Sequence, residues 1–455
     1  LETIRIKPKE KGAAVLPVAL TVLFSPSLEG TGGQRVVFNG ALMVGRGPDG
    51  VDLALSDATV SRRHFRVSNQ TAGLVLEDFG SANGTFVNGE RVSGALLAAG
   101  DLIRVGNTLL LVGESQEAPD LPTGPLDGVV IRSPAMARVV AQLVAVSKSN
   151  KPVFLVGETG VGKDVLARLL HRASGRMGEF CPVNCAAMPD TLVESVLFGS
   201  TKGAYTGSTR SEPGWFKRAD GGTLFLDELG EMPSHVQAKL NHVLETGTIT
   251  PVGTTESLEV DVRVVAATNR VGILDGADCG FREDLLARIE DAIVLVPPLR
   301  ERLEDIPPLL DLVVRELGRE QTGLGVGFVE RALLYRWPRN VRQLLKTVAA
   351  CLSRLPEGHM AEAEDFMVVA GGFGSSGESV SGGNSDSVSV GPPIPRVEDE
   401  SENMDLGMSH AVIGRALMKN GGNVSAAARE LGMTRPRFYR LMRRFGIEPG
   451  RGDAG

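Results

Sequence analysis

Cysteine is scarce: four in 455 residues, too few for a disulfide framework. Cys181 and Cys185 flank Asn184 in an apolar run, while Cys279 and Cys351 stand alone. The expectation is a reduced, cytoplasmic chain with buried thiols rather than a metal site. No run of 18 or more apolar residues occurs, so nothing is expected to span a membrane. The opening stretch imitates a secretion signal, with Lys7, Lys9 and Lys11 ahead of the apolar residues 13–24. Glu2 and Glu10 interrupt the basic charge, no small-x-small cleavage site follows, and Pro17 breaks the run, so it reads as an entering strand. Excess positive charge is also lacking. A net charge of −7 excludes an all-over nucleic-acid coat and leaves room only for a local basic patch. What is present is apolar content of 42%, enough to fill real cores. At roughly 100–200 residues per domain, the length suggests about three domains.

The chain is organised around residues 153–164. Four apolar residues of strand character, Val153 to Val156, run into a glycine-rich turn and a lysine, and a helical pattern follows. This is a phosphate-binding loop. Gly157, Gly160 and Gly162, with Glu158, Thr159 and Val161 between them, let backbone N–H groups close around phosphate oxygens at the positive end of the new helix. Lys163 supplies a point charge for the outer phosphates. Asp164 stands where the general pattern has the Ser or Thr that holds magnesium.

Strand candidates recur between helical patterns at 152–156, 180–183, 223–226, 262–268 and 292–296, as near-continuous apolar runs of the kind that buried parallel strands show. Together with the loop they predict an α/β nucleotide-binding fold. The third strand ends in Asp227 and Glu228. Asp227 suits a magnesium ion, directly or through water, and Glu228 suits polarisation of an attacking water. Asp164 is a second candidate for the metal.

Ahead of this region, residues 15–113 read as short strands separated by Gly, Asn and Asp, which predicts an all-β sandwich. Within it stand Gly45 and Arg46, Ser61 to His64, and Asn83 to Gly89. That ordered set resembles the forkhead-associated (FHA) domain family, which binds phosphothreonine peptides. The resemblance implies that Arg46 and Ser61 hold the phosphate, that Arg62 assists, and that Asn83 holds the peptide backbone. His64 and Gly84 are expected to brace the loops.

In the central region residues 194–208, 214–233, 264–269, 281–288, 297–302 and 337–343 together resemble the sigma-54-dependent transcription activators, a branch of the AAA+ ATPases. The resemblance implies roles for these positions. Asn184 restrains Glu228. Thr268 and Asn269 sense the γ-phosphate. Arg282 and Arg288 reach the neighbouring subunit's nucleotide, so that catalysis needs a ring. Arg342, in a helical lid, senses nucleotide from its own subunit. The loop Gly203, Ala204, Tyr205, Thr206, Gly207 and Ser208 touches sigma-54. Tyr205 stands for the family's usual Phe and Ser208 for its usual Ala.

Residues 369–404, rich in Gly and Ser with acids at the end, read as a disordered tether. After them the spacing predicts three helices, with Gly421, Gly422 and Gly432 at the breaks and Thr434 as a cap. Residues 421–433 resemble the Fis-type helix-turn-helix of the same activators. From residue 405 onward nine Lys or Arg stand against four acids, a local balance of +5 in an acidic chain. Arg435, Arg437 and Arg440 are the candidates for base edges, with Thr434 beside them, and Arg443 and Arg444 for phosphates.

The expected order is thus an FHA-like sandwich (15–113), a linker (114–127), an α/β AAA+ P-loop ATPase (128–298) with a helical lid (299–368), the tether (369–404) and an all-α helix-turn-helix (405–449). The combined expectation is a cytoplasmic, enhancer-binding transcription activator that uses ATP and Mg2+. It would remodel sigma-54 RNA polymerase as a homo-oligomer, a hexameric ring with a dimer as the alternative at rest, under control of a phosphothreonine protein or kinase. No receiver domain is seen. Two other readings stay open: a DNA-bound, ATP-binding repressor that does not engage sigma-54, and a phosphopeptide scaffold with a degenerate ATPase.

Overall fold

In this computed structural model the described residues are 3–6, 18–25, 34–47, 49–70, 73–115, 119, 128–204, 210–273 and 280–366. The chain divides into two compact units, Leu1–Glu378 and Ser379–Gly455. Every described residue belongs to the first. The expected tether, the expected helix-turn-helix with Thr434, Arg435, Arg437, Arg440, Arg443 and Arg444, and residues 205–208 of the loop expected to touch sigma-54 lie outside the described residues.

The amino-terminal strands are β1 (Thr3–Ile6), β2 (Val18–Phe24), β3 (Arg35–Phe38), β4 (Ala41–Arg46), β5 (Leu53–Leu55) and β6 (Phe65–Gln70). They continue as β7 (Gly73–Asp78), β8 (Thr85–Val87), β9 (Glu90–Val92), β10 (Gly94–Leu97), β11 (Leu102–Val105) and β12 (Thr108–Glu114). They form two sheets, β1-β3-β2-β12-β11-β8-β9 and β10-β7-β6-β4-β5. The expected sandwich is therefore present, and β2 begins inside the stretch that imitates a signal peptide. Thr3–Ile6 adds a parallel strand upstream of the expected span. The core between the sheets takes alternate residues, such as Leu20 and Val22 from β2 and Leu110 and Val112 from β12.

The central region carries α1 (Pro134–Val146), β13 (Val153–Val156), α2 (Lys163–Ser174), β14 (Phe180–Asn184), α3 (Val193–Phe198), α4 (Trp215–Arg218) and β15 (Thr223–Asp227). Then come α5 (Ser234–Thr246), a small hairpin of β16 (Thr248–Ile249) and β17 (Leu258–Glu259), β18 (Arg263–Thr268), α6 (Glu283–Ile289) and β19 (Ile293–Leu295). The main sheet has the order β14-β15-β18-β13-β19 with all pairs parallel. Its strands are apolar on both faces because both are covered. Val153 and Leu155 face a cluster with Leu166 and Leu170 of α2, while Phe154 and Val156 face one with Leu240 of α5 and Leu285 of α6. Ser133 caps α1, its hydroxyl accepting from Met136 N–H at 3.1 Å, with Pro134 in the first turn. The far end of α1 is closed by buried Arg263, whose guanidinium donates to Val146 O at 2.8 Å and to Ser147 O.

A helical lid follows: α7 (Ile306–Glu316), α8 (Val326–Leu334) and α9 (Asn340–Leu352). Its core is shared with the sandwich. Leu23, Leu102, Leu109 and Leu111 point away from the sandwich interior and are buried with Leu310, Phe328, Leu333 and Trp337 of the lid. Strand β12 is consequently buried on both faces, which explains why Leu109, Leu110 and Leu111 run without alternation. At the edge of this interface Arg104 stacks over Phe86, 3.8 Å to the ring centroid, and donates to Glu330 of α8 at 2.9 Å.

Candidate functional site

The loop between β13 and α2 sits at the carboxyl ends of the parallel strands. Gly157 N–H donates to Thr268 O at 3.1 Å, which fixes the loop entrance to the end of β18. At Gly160 φ is +80°, and a Cβ there would lie 2.3 Å from Arg339 O, so only glycine fits. Lys163 opens α2 and is buried, its Nζ donating to Gly157 O at 2.8 Å and Glu158 O at 3.2 Å. Burial lowers the Lys163 pKa, and the nearby Glu228 and Asp227 offset part of that shift. Asp164 is exposed on the first turn of α2.

Strand β15 delivers Asp227 and Glu228 beside the loop. Asp227 Oδ1 accepts Glu228 N–H at 3.0 Å. Glu228 has φ +54°, a left-handed conformation that a non-glycine residue adopts only when its surroundings hold it there. Burial raises the Glu228 pKa, and Lys163 acts against that shift. Asn184 ends β14 in register with Asp227. Its carboxamide oxygen accepts Ala186 N–H at 3.0 Å and caps the following turn, rather than bonding Glu228. Thr268 is fully buried, and Asn269 Nδ2 reaches Thr159 Oγ1 at 3.1 Å across the loop. Arg342 belongs to α9, and its N–H donates to Gly160 O at 3.3 Å. Lys163, Asp227, Glu228, Thr268, Asn269 and Arg342 are thus gathered around one loop.

Arg282 and Arg288 bond other partners than the loop. Arg282 forks onto Asp284 at 2.9 and 2.7 Å, and Arg288 bonds Glu245 at 2.6 Å. Arg282 immediately precedes α6 and Asp284 lies in its first turn, Arg288 is in its last turn and Glu245 is on α5, and all four side chains are exposed. Of the loop 203–208, expected to touch sigma-54, only Gly203 and Ala204 are among the described residues.

This donor set fits a magnesium nucleotide. It combines a buried ammonium, a glycine turn opening a helix, and one strand-end carboxylate, Asp227. Magnesium at such sites fills most of its shell with phosphate oxygens and water. Among the described residues no cluster of three His, Cys, Asp or Glu side chains could hold a metal alone.

The sandwich gathers a second set of loops. Arg46 N–H donates to Ser61 O at 2.9 Å, and Ser61 Oγ accepts Ala82 N–H at 3.1 Å. Asn83 Nδ2 donates to Thr59 O at 2.7 Å. Gly45 lets these loops meet, since a Cβ there would lie 2.1 Å from Arg62 O. Buried His64 braces them: Nδ1 accepts Ser61 N–H at 3.0 Å, so the Nε2 proton faces Gly84 O at 3.3 Å. Burial lowers its pKa, in keeping with the neutral ring. Arg46 and Arg62 are exposed, and Ser61 is partly buried.

Three family descriptions match in this order: FHA domain over 42–106, Sigma-54 interaction domain over 129–294, and Bacterial regulatory protein, Fis family, over 408–445. The anaerobic nitric oxide reductase transcription regulator NorR of Aeromonas salmonicida is 36% identical over 387 residues, 79% of this chain and 72% of that one. The chain belongs to the sigma-54-dependent transcription regulators. Other members of the family include the nitric oxide reductase transcription regulator NorR2 of Cupriavidus necator, 38% identical over 339 residues (71% of this chain, 64% of that one). The Nif-specific regulatory protein of Azotobacter vinelandii is 39% identical over 319 residues, 69% of this chain and 58% of that one. The chain spans 64%, 58% and 65% of the length of three such relatives. Among the described residues no helix is long and apolar enough to cross a membrane.

Sequence reasoning gave no role to Arg300, Arg302 or Asn340, all of which touch the loop. Their signal was present in the runs 297–302 and 337–343, but a residue that grips a backbone carbonyl leaves no charge pattern to read.

Proposed function

We propose that this protein is an ATP-hydrolysing, DNA-bound activator that remodels sigma-54 RNA polymerase for promoter opening, under control of phosphothreonine recognition by its FHA domain. The observation that carries the reading is the convergence of Lys163, Asp227, Glu228 and the Thr268–Asn269 strand end on one glycine loop, with Arg282 and Arg288 exposed elsewhere. In this reading the loop amides and Lys163 bind the phosphates of ATP. Magnesium, held by Asp227 with Asp164 as a second candidate, neutralises phosphate charge when bound. Glu228, in its ionised form, orients and polarises the attacking water. Arg282 and Arg288 complete a neighbouring subunit's site in a homo-oligomeric ring: their guanidinium groups are exposed and pair with Asp284 and Glu245 rather than with their own loop. The loop from Gly203 to Ser208, with the aromatic Tyr205, is the part that engages sigma-54, and the basic region from 405 to 449 holds enhancer DNA.

The phosphothreonine signal has a physical route to the ATPase. Asn83 holds Thr59, while Asp57 and Thr59 accept Asn107 N–H at 2.7 and 3.2 Å, and Asp57 also accepts the Thr108 hydroxyl at 3.0 Å. Thr108 begins β12, whose outer leucines lie in the lid core. A peptide that shifts the Ser61–Asn83 loops therefore pulls on the strand that supports the lid.

The test is open-complex formation by purified protein with sigma-54 polymerase and a promoter bearing its binding site. Opening that requires hydrolysable ATP, and that fails in Tyr205→Ala, is expected. ATP turnover and DNA binding without opening would favour the repressor reading.

A further inference from the structure

The phosphate loop is held closely by groups from beyond residue 298. The Arg300 guanidinium forks onto the Glu158 carboxylate, at 2.7 Å to Oε1 and 2.9 Å to Oε2. Asn340 Nδ2 donates to Glu158 Oε2 and to Thr159 O, both at 3.1 Å, while its Oδ1 accepts Leu299 N–H at 2.7 Å. Arg342 N–H reaches Gly160 O, and Arg302 Nη2 reaches Val161 O at 2.6 Å. The side chain of residue 158 and the carbonyls of 159, 160 and 161 are therefore all taken by groups at or beyond the lid boundary.

A peptide plane is rigid, so a carbonyl fixed outward turns the following N–H inward. Holding three successive carbonyls aims the N–H groups of residues 160, 161 and 162 at the place a phosphate would take. We infer that Glu158, Arg300 and Asn340 form a positioning clamp through which the lid sets the shape of the phosphate loop and thereby the affinity for ATP. None of the three reacts with nucleotide; each acts through the loop backbone.

Two features separate this from ordinary surface pairing. Asn340 is fully buried at φ +50°, a strained conformation retained at the start of α9. The Arg300–Glu158 pair is bidentate and half-buried, the strong form of such a contact. Arg300 also holds Glu158 below the usual carboxylate range, so the pair stays charged. A lid movement that withdraws Arg300 and Asn340 together releases the loop, and ATP bound in the loop resists that movement by the same amount, because linkage is reciprocal.

The inference rests on the ATP reading, so its test carries a readout that needs no nucleotide. Arg300→Gln and Glu158→Gln are compared with the unchanged protein, singly and together, by hydrogen exchange of the loop amides without nucleotide, by binding of a fluorescent ATP analogue, and by the KM and kcat of turnover. The clamp predicts faster exchange at 159–163 in each variant, about tenfold weaker analogue binding, a larger change in KM than in kcat, and a double variant no worse than either single one. Asn340→Ala should behave alike. Unchanged loop exchange and unchanged analogue affinity in both single variants would overturn the clamp, as would losses that add in the double variant. Absence of analogue binding by the unchanged protein would overturn the ATP reading instead, and the exchange data would still decide the clamp.

Discussion

Glu228 concentrates the chemistry at the residue scale. Its backbone is strained, and its carboxyl is half-buried between Lys163 and Asp227. Burial raises its pKa above the ordinary 4.5, so the folded protein takes up a proton more readily than the unfolded chain. Stability from this group is full below 4.5 and is lost as pH rises through the raised value. At neutral pH the charged form is therefore a local cost. Glu228→Gln should melt at a higher temperature than the unchanged protein at pH 7.5, while turnover falls by about a hundredfold or more. The acid limb of the turnover–pH profile should also lie above the range of an unperturbed glutamate. A variant that melts lower and turns over normally would remove Glu228 from the mechanism. The pair Asp227–Glu228 was legible in the sequence because an apolar strand ending in two carboxylates has few other uses. The left-handed backbone at Glu228 was not, because strain arises from neighbours that are distant in sequence.

At the scale of elements, strands β11 and β12 pack the sandwich against the lid. The sequence spacing placed the entering strand β2, other short strands of the sandwich and the five strands of the main sheet, since long apolar runs dominate local choice. Short strands such as β5 and β9 escaped, having too few residues to show a period. The docking of the sandwich on the lid also escaped, although Leu109, Leu110 and Leu111 advertised it: an unalternated run at the end of a sandwich calls for apolar cover on both faces. Arg104 and Glu330 guard the edge of that cover. Reversing one charge with Glu330→Arg leaves Arg104 facing a like charge in a partly buried site, and should weaken docking by about 2 kcal/mol, below the range for a fully buried pair. Faster hydrogen exchange in β12 and α8 is the expected result. Affinity for a phosphothreonine peptide should be unchanged, but the peptide should no longer alter ATP turnover. A retained peptide response would mean that the signal travels by another route.

For the whole molecule, the central claim is a ring in which each subunit completes its neighbour's site. Arg288 is the sharpest probe, because its own-chain partner is the exposed Glu245, and a surface pair of this kind contributes at most about 1 kcal/mol to folding. Its removal should spare the fold and nucleotide binding. The deciding measurement is ATP turnover per subunit over a protein concentration series, for the unchanged chain, for Arg288→Ala, and for mixtures of Arg288→Ala with a Glu228→Gln chain. The account predicts turnover that climbs with concentration, collapses in each variant alone, and partly returns in the mixture, where an intact Glu228 meets an intact Arg288 across an interface. Turnover that is independent of concentration and indifferent to Arg288 would contradict it.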